Sequence, residues 1–276
     1  MRERPVLFSA PMIRALLDGR KSQTRRVVNP DRLRVRLPRE VRSDLPDLVS
    51  GTTAPPGVYP AKIHGMGAVS IVAPDGKSLG VKPGEFHFVC PYADGDTHLG
   101  DYGDGRKRWT ITPRESRLWV REAWNLFDPE RDGIPATRLG PRAPHVGCMN
   151  DEPIRWSACY AADGPLDHPT HGQARWKPSI HMPRWASRIT LEVTGVRVER
   201  VQEISGADAV AEGVRWGGRW SDSFSGIAAR DKYGESIDRN VAAFAGLWDA
   251  INGARPGCAW ADNPFVWCIA FRRATP

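Results

Sequence analysis

The sequence predicts an α+β fold, built around a small β-barrel and carrying two long irregular insertions. Strand-like patterns dominate the chain, two segments in its last third carry clear helical patterns, and Pro- and Gly-rich stretches separate the elements. The predicted order is strand, helix, extended cationic segment, strand, long strand, short helix, helix, strand. A length of 276 residues allows one large domain or two small ones.

The chain opens with a short strand and a helix. Residues 5–8, PVLF, form an apolar run that predicts the strand. In SAPMIRALLDG, Ser9 suits the N-cap of a helix and Gly19 suits its C-terminal end. The helical spacing i, i+3, i+4 is met by the apolar residues Ile13, Leu16 and Leu17. Lys21 to Arg26 therefore leave a helix end and enter an extended segment.

The middle of the chain alternates irregular stretches with strand-like pieces. Within residues 31–117, AVSIVA, SLGV and EFHFV predict strands, and PDG between the first two predicts a tight turn. RLWVREAWN, at 117–125, predicts one further strand. WSACYAAD, at 156–163, predicts another strand within the otherwise irregular residues 126–178.

The last third carries the clearest patterns. SRITLEVTGVRVERVQEI, at 187–204, predicts a long strand, and Gly195 in it suits a bulge or bend. SGADAVAEGV then predicts a short helix with Ser205 as its N-cap and Gly213 at its end. Residues 240–253 predict a longer helix, and NPFVWCIAFRRA predicts a closing strand. The longer helix has an apolar stripe made of Val241, Phe244, Leu247, Trp248 and Ile251.

Composition and charge limit the classes of function. A hydrophobic content of 41% fits a soluble globular protein, and no segment approaches the roughly 18 apolar residues of a membrane span. We recognise no signal peptide and expect a cytoplasmic protein. The net charge of +7 favours a polyanionic partner, nucleic acid first, although many basic proteins bind nothing anionic. The five cysteines contain no CxxC pair, so we expect no disulfide framework, no metal and no cofactor.

The segment GRKSQTRR, at 19–26, places four cations and two hydroxyls in eight residues. One interpretation is a basic helix end that complements the helix dipole. The other is a catalytic or nucleobase-binding cluster. From these residues alone both interpretations stay open.

The same segment resembles the G-x-K-x-x-T-x-R box of the ASCH family, a branch of the PUA-like β-barrel superfamily, with Gly19, Lys21, Thr24 and Arg26 in register. LEVTGVRVERVQEIS followed by DAVAEGV, and FAGLWDAING with PFVWCIAF, extend the resemblance. The chain in this longer form also resembles uncharacterised phage and prophage proteins. The resemblance implies one ASCH-like domain over residues 1–276, with a core at about 5–28, 115–125 and 186–273. Residues 31–114 and 126–185 are then insertions that compact members lack.

The resemblance implies recognition of a nucleobase or nucleotide, free or within RNA or DNA. Some compact members hydrolyse the acyl amide of N4-acetylcytidine with a Lys and a Thr of the box and a Glu of the short helix. The matching positions are Lys21, Thr24 and Glu212, although Glu203 lies close enough in the sequence to be the carboxylate instead. Other members are thought to bind RNA or modified bases without this reaction, or have been linked to nuclease activity. A non-catalytic reader and a structural phage protein with a degenerate pocket are therefore the alternatives.

The chemistry of the three residues suits an amide hydrolase, which needs a nucleophile, a proton acceptor and a group that holds the oxyanion. Thr24 attacks directly or orients a water. Lys21 is a base only if its pKa falls well below about 10.4, which burial and neighbouring cations favour and Glu212 opposes. Arg26 suits a phosphate or a base edge.

Further candidates lie outside the box. Trp119 and Arg121 are two residues apart on a predicted strand and share a face, with Glu122 on the other face. Trp119 either stacks on a base or packs in the core. The loop KPSIHMPRW adds two polar side chains near this strand. The predicted substrate-binding residues are Arg25, Arg26, Trp119, Arg121, Ser179 and His181.

Overall fold

The structure is a computed structural model and confirms the α+β class, with many strands and few helices. It describes residues 3–42, 53–64, 68–101, 107–130, 132–144, 147–149, 152–154, 156–168, 172–173, 175–214 and 238–274. Among the helices of these residues, none combines the length and the apolar character that a membrane span requires.

The described residues contain twenty strands and three α-helices. The helices are α1 (Ala10–Leu17), α2 (Gly206–Ala211) and α3 (Arg239–Asn252). The strands are β1 (Glu3–Leu7), β2 (Gln23–Val27), β3 (Arg34–Leu37), β4 (Val41–Arg42), β5 (Thr53–Ala54), β6 (Gly57–Ile63), β7 (Val69–Val72), β8 (Ser78–Val81), β9 (His87–Phe88), β10 (Gly95–Asp101), β11 (Lys107–Pro113), β12 (Arg117–Arg121), β13 (Trp124–Phe127), β14 (Gly147–Met149), β15 (Glu152–Ile154), β16 (Ser157–Tyr160), β17 (Asp167–His168), β18 (Gly172–Gln173), β19 (Thr190–Arg200) and β20 (Phe265–Arg273).

The chain divides into two compact units, each assembled from segments that are distant in the sequence. Unit 1 comprises Met1–Lys21, Arg117–Glu192 and Arg272–Pro276. Unit 2 comprises Ser22–Ser116 and Val193–Phe271. Of the two predicted insertions, 31–114 falls in unit 2 and 126–185 falls in unit 1. The first of them contains β3 to β11, so it holds more regular structure than the sequence predicts.

In unit 1, β1 runs parallel to β12, with Glu3 opposite Arg117. β12 is antiparallel to the first residues of β19, and β13 is antiparallel to β16. Apolar side chains of β13, β16 and the segment that follows form a buried cluster, composed of Trp124, Ala158, Tyr160, Met182 and Ala186.

In unit 2, β4 pairs with β5 alone, and the other described strands form two larger groups. One follows the order β2-β20-β19-β11-β10, and the other follows β8-β7-β6-β3-β9. Within the described residues, neither order returns to its first strand. Aromatic rings pack inside this unit at centroid distances of 4.8 to 5.7 Å, namely Phe86, Phe88, Trp109 and Trp267. Such burial supplies most of the free energy that holds the sheets in place.

The short-range signals of helix and turn boundaries are confirmed. Ser205 precedes α2 and its hydroxyl accepts a hydrogen bond from the Asp208 backbone N–H at 3.1 Å. Gly213 follows that helix with a φ of 91°, and Gly19 follows α1 with a φ of 71°, both in the left-handed region that favours glycine. The PDG turn is also present, with Gly76 at a φ of 82°.

Three element predictions differ from the structure. The strand predicted at 117–125 is two strands, β12 and β13, because the pairing is interrupted at Glu122 and the chain bends at Ala123. The long strand ends at Arg200, and Val201–Glu203 form a 3₁₀ turn. Ile251, predicted in the apolar stripe of α3, is 53% exposed, whereas Val241, Phe244, Leu247 and Trp248 of that stripe are buried.

Candidate functional site

The cationic segment begins at the C-terminal end of α1. The backbone N–H groups of Arg20 and Lys21 both donate to the carbonyl oxygen of Ala15, at 2.9 and 3.0 Å. Lys21 is the last residue of unit 1 in this segment, and only 4% of it is exposed. Its Nζ lies 5.4 Å from the centroid of the Phe8 ring. The first predicted catalytic residue thus has a buried amino group beside an aromatic ring.

The rest of the segment forms β2, which is tied to α2 within unit 2. The Ser22 backbone N–H donates to the carbonyl oxygen of Ala211 at 2.9 Å. The Gln23 side-chain amide donates to both the backbone oxygen and Oδ1 of Asp208, each at 3.1 Å. Thr24 is 2% exposed and lies opposite Ile269 of β20. The strand that carries Thr24 therefore lies against the helix that ends at Glu212.

Arg25 occupies the centre of this contact, with none of its side chain exposed. Its Nε donates to Glu199 Oε1 at 3.0 Å, and its Nη2 contacts the same oxygen. Its Nη1 donates to Glu212 Oε1 at 3.1 Å, and its Nη2 also reaches Asp208 Oδ2 at 3.3 Å. One guanidinium thus holds three carboxylates from β19, α2 and the end of α2. Its planar fork of donors suits this arrangement, which a lysine cannot reproduce.

A second arginine completes the group. Arg197 donates from Nε to Glu199 Oε2 at 2.8 Å and from Nη2 to Asp208 Oδ2 at 3.0 Å. The Nε of Arg108 lies 3.8 Å from Glu199 Oε2. We call the hydrogen-bonded set the buried ionic cluster. It comprises Arg25, Glu199 and Glu212, which are buried, and Arg197 and Asp208, which are partly buried.

The electrostatics of the cluster favour the charged forms. Burial alone lowers the pKa of Arg25 and of Arg197, but the surrounding carboxylates oppose it, and both pKa values are raised. Burial raises the pKa of Asp208, yet Arg197 and Arg25 outweigh it and lower that pKa below its usual range. Arg25, Arg197 and Asp208 therefore each favour their charged form at neutral pH.

Cys268 lies beside the cluster and is inert as a nucleophile at neutral pH. Its Sγ is 3.6 Å from Gln23 Oε1, and the residue is fully buried. Burial raises the pKa of this thiol to about 12. A thiol with such a pKa is protonated at neutral pH.

Of the two carboxylates proposed from the sequence, Glu212 is the one in contact with β2. It is 5% exposed and bonded to Arg25. Glu203 accepts a hydrogen bond from the Arg200 backbone N–H at 2.9 Å, which closes the 3₁₀ turn, and 27% of its side chain is exposed. Glu203 thus has a local capping role in the turn that follows β19.

Arg26 follows the cluster on β2 and is partly buried opposite Trp267. It lies close to Tyr92. Burial raises the pKa of Tyr92, and the positive charge of Arg26 lowers it by a smaller amount. The predicted substrate-binding residues Arg25 and Arg26 are therefore in different environments: Arg25 is fully buried against three carboxylates, whereas Arg26 is partly buried near Tyr92.

The other predicted substrate-binding residues lie together in unit 1. Trp119 and Arg121 share a face, as predicted, since Arg121 Cζ lies 4.6 Å from the centroid of the Trp119 ring. Arg121 Nη1 donates to the backbone oxygen of Ile180 at 3.1 Å, which connects β12 to the 3₁₀ turn Ser179–His181. Trp119 is only 7% exposed, so most of its ring is covered. His181 is exposed and Ser179 is partly buried.

Sequence reasoning did not find Arg197, Glu199 or the full role of Asp208. Arg197 and Glu199 occupy alternate positions of β19, so their side chains point to the same face of the strand. Both alternate with the buried Val196 and Val198. The available signal was a pair of opposite charges at i and i+2 of the strand TLEVTGVRVER, which places Arg197 and Glu199 on one face within reach of each other.

Comparisons with protein-family models, with curated proteins and with solved structures find no match for this chain. The class that the structure defines is an α+β protein with a buried ionic cluster beside the strand of the cationic segment. The relation to the ASCH family stays a prediction from the sequence.

Proposed function

We propose that this protein recognises a nucleobase or nucleotide through the segment Gly19–Arg26 and hydrolyses the N4-acyl amide of an acylated cytosine. The observation that carries the proposal is the hydrogen bond of 3.1 Å between Arg25 and Glu212, which are 187 positions apart in the chain. Two stretches that the sequence predicts to act together are thus in contact within unit 2. We infer a PUA-like barrel as the fold on which this segment acts.

The roles follow from the chemistry of each side chain. Thr24 attacks the amide carbon or orients the water that does, and Lys21 accepts the proton. Glu212 orients the reacting groups from the end of α2. Arg25 is a positioning residue, because it acts through Glu212 and fixes the direction of that carboxylate. Arg26 binds the phosphate or the base edge.

Burial supports a functional role for these polar groups. Lys21, Thr24 and Glu212 are exposed by only 4%, 2% and 5%. Burying polar and charged groups costs free energy, and proteins retain such groups where they form a network or serve chemistry. The net charge of +7 supports an anionic partner such as a nucleotide, RNA or DNA. The proposed setting is the cytoplasm of a host cell, with the gene in a phage or prophage.

Mass spectrometry of acylated cytidine nucleosides and nucleotides incubated with the protein tests the proposal. We expect release of the free amine, and a loss of about 100-fold or more in rate for Lys21→Ala, Thr24→Ala and Glu212→Gln. The matched controls are Lys77→Ala and Thr53→Ala, which change exposed residues of the same types in unit 2. Circular dichroism of each variant separates loss of activity from loss of fold.

Absence of turnover on the whole panel by the folded protein would contradict hydrolysis. The same protein would then be titrated with RNA and DNA oligonucleotides at several salt concentrations. Binding that weakens steeply with salt would identify a non-catalytic reader, since phosphate contacts release counterions. Neither turnover nor binding would leave a structural phage protein.

A further inference from the structure

Unit 2 contains a second feature, a cavity of about 450 Å³ outside the buried ionic cluster. It is bounded by the end of β2, residues 30–33, β6 and residues 256–265. Its walls are largely apolar and include Val28, Leu33 and Ala61, each of which is buried. Cavities of this size and character hold small organic molecules.

One wall presents a cation stacked on an aromatic ring. The Cζ of Arg200 lies 3.8 Å from the centroid of the Phe265 ring, and both residues line the cavity. The guanidinium is fixed in place, because its Nη1 donates to the backbone oxygen of Asn263 at 2.9 Å. Phenyl rings and guanidinium planes both stack on flat aromatic ligands. This wall therefore offers flat groups on which a planar ring could stack.

The charged groups of the cavity decide between a planar ring and a simple anion. Asp31, Asp262 and Lys62 also line it, and all three residues are exposed. The Oδ2 of Asp262 accepts a hydrogen bond from the Ala259 backbone N–H at 2.9 Å, which leaves its other oxygen for a ligand. Two carboxylates balance Lys62 and Arg200, so the lining offers no net positive charge to a free phosphate. A neutral ring that carries both amino donors and carbonyl or ring-nitrogen acceptors matches these groups, since carboxylates accept and an ammonium donates.

We propose that this cavity is a nucleobase-binding site, separate from the segment Gly19–Arg26. The base stacks against the Arg200–Phe265 pair, while Asp31, Asp262 and Lys62 contact its polar edge. The site does not depend on the hydrolysis proposed above. It also differs from the buried ionic cluster in being lined by apolar side chains, and β2 reaches it at Val27, three residues or about 10 Å beyond Thr24.

Calorimetric titration with adenosine, guanosine, cytidine and uridine tests the site, with ribose as the ligand control. We expect at least one nucleoside to bind and ribose not to bind. Arg200→Ala and Phe265→Leu should each weaken binding about tenfold, the effect typical of losing one stacking contact. Arg36→Ala removes an exposed arginine of β3 in the same unit and should leave binding unchanged.

A second measurement reports directly on the cavity. Cys258 lines it and is 9% exposed, whereas Cys90 is 2% exposed and lies elsewhere in unit 2. Alkylation followed by peptide mass spectrometry should show that the bound nucleoside slows labelling of Cys258 several-fold without changing that of Cys90.

The proposal would be overturned by no binding of any of the four nucleosides at millimolar concentration, or by binding that both Arg200→Ala and Phe265→Leu leave intact. Binding that falls in Thr24→Ala but not in Arg200→Ala would place the base at the cationic segment instead. That outcome rejects the cavity site while supporting the function proposed for Gly19–Arg26.

Discussion

Arg25 is the residue on which the buried charges of unit 2 depend. Its fully buried guanidinium makes hydrogen bonds to Glu199, Asp208 and Glu212. Each carboxylate has lost water on burial, and the guanidinium replaces part of that solvation. The residue that the sequence suggested for contact with substrate is thus engaged with the protein itself, and its influence on a ligand would pass through Glu212.

Removing Arg25 should therefore destabilise the protein strongly. We expect Arg25→Ala to lower the free energy of unfolding by about 3–5 kcal/mol, because three carboxylates lose a buried partner. Arg25→Lys should fall between this variant and the native protein, since an ammonium keeps the charge but not the fork of donors. Urea denaturation followed by far-UV circular dichroism measures both. Arg36→Ala, an exposed arginine in the same unit, should change the free energy by less than about 0.5 kcal/mol. Equal losses in the free energy of unfolding for Arg25→Ala and Arg36→Ala would show that the buried ionic cluster does not stabilise the fold.

Unit 1 contains a second arginine that binds more than one carboxylate, and this one is partly buried. Arg188 donates to both carboxylate oxygens of Glu122, at 2.9 and 3.0 Å, and to both oxygens of Asp163, at 2.9 and 2.8 Å. Its Cζ lies 3.9 Å from the centroid of the Tyr160 ring. Burial nevertheless raises the pKa of Glu122, in spite of Arg188. Each unit thus contains an arginine that bridges two or more carboxylates from separate elements.

At the scale of elements, the two serine N-caps differ in what their side chains do. The Ser205 hydroxyl accepts a hydrogen bond from Asp208 N–H at the start of α2. Ser9 stands at the same position before α1, but its side chain makes no capping hydrogen bond. The same residue type at the same helical position therefore provides a natural comparison.

We expect Ser205→Ala to lower the free energy of unfolding by about 1 kcal/mol, because an N–H of the first helical turn loses its acceptor. Ser9→Ala should lower the free energy of unfolding by only about 0.3 kcal/mol, since the Ser9 side chain makes no capping hydrogen bond. Thermal unfolding monitored by circular dichroism compares the two variants under one buffer. A Ser9→Ala effect as large as that of Ser205→Ala would contradict the capping account.

The elements that the sequence predicted correctly are those set by local chemistry. Ser205, Gly19 and Gly213 mark helix boundaries through their own backbone preferences, so no distant contact is needed to find them. The exposure of Ile251 and the break at Glu122 depend on what packs against each segment, and no local pattern contains that information. For the same reason, β3 to β11 were only partly recognised among their Pro- and Gly-rich connections.

The candidate site was predictable to a similar extent. The residues of the cationic segment and Glu212 were found from motif and helix position. Their partners Arg197 and Glu199 belong to β19, about 170 positions from β2, and only the folded sheet brings them together. The cavity beside Phe265 was not predicted at all, because its walls come from four separate stretches of the chain.

At the scale of the whole molecule, pairing of acidic side chains with arginine recurs in both units of this basic protein. Hydrogen bonding to Arg184 lowers the pKa of Glu3, and hydrogen bonding to Arg272 lowers that of Glu192. In unit 2, Asp208 has a lowered pKa because Arg197 and Arg25 outweigh its burial. Three carboxylates from both units thus favour ionisation in the folded state.

These shifts predict a protein that loses stability in acid. The unfolded pKa is 4.5 for Glu and 3.8 for Asp. A carboxyl group whose pKa is lower in the folded protein stabilises the fold fully at any pH above its unfolded pKa. That contribution disappears as the pH falls through the folded pKa. Glu122 has the opposite sign, because its raised pKa means that protonation favours its folded form, so it offsets part of the loss.

We therefore expect the melting temperature to fall between about pH 5 and pH 2.5. Asp208→Asn should make this fall shallower, because one of the groups that drives it no longer titrates. Asp31→Asn is the matched control, since Asp31 is an exposed aspartate of the same unit outside the buried ionic cluster. Thermal melts of the three proteins across this range measure the slopes. Identical slopes for Asp208→Asn and the native protein would mean that the ion pairs of Asp208 add no stability, and the acid response would then have to come from Glu3 and Glu192 in unit 1.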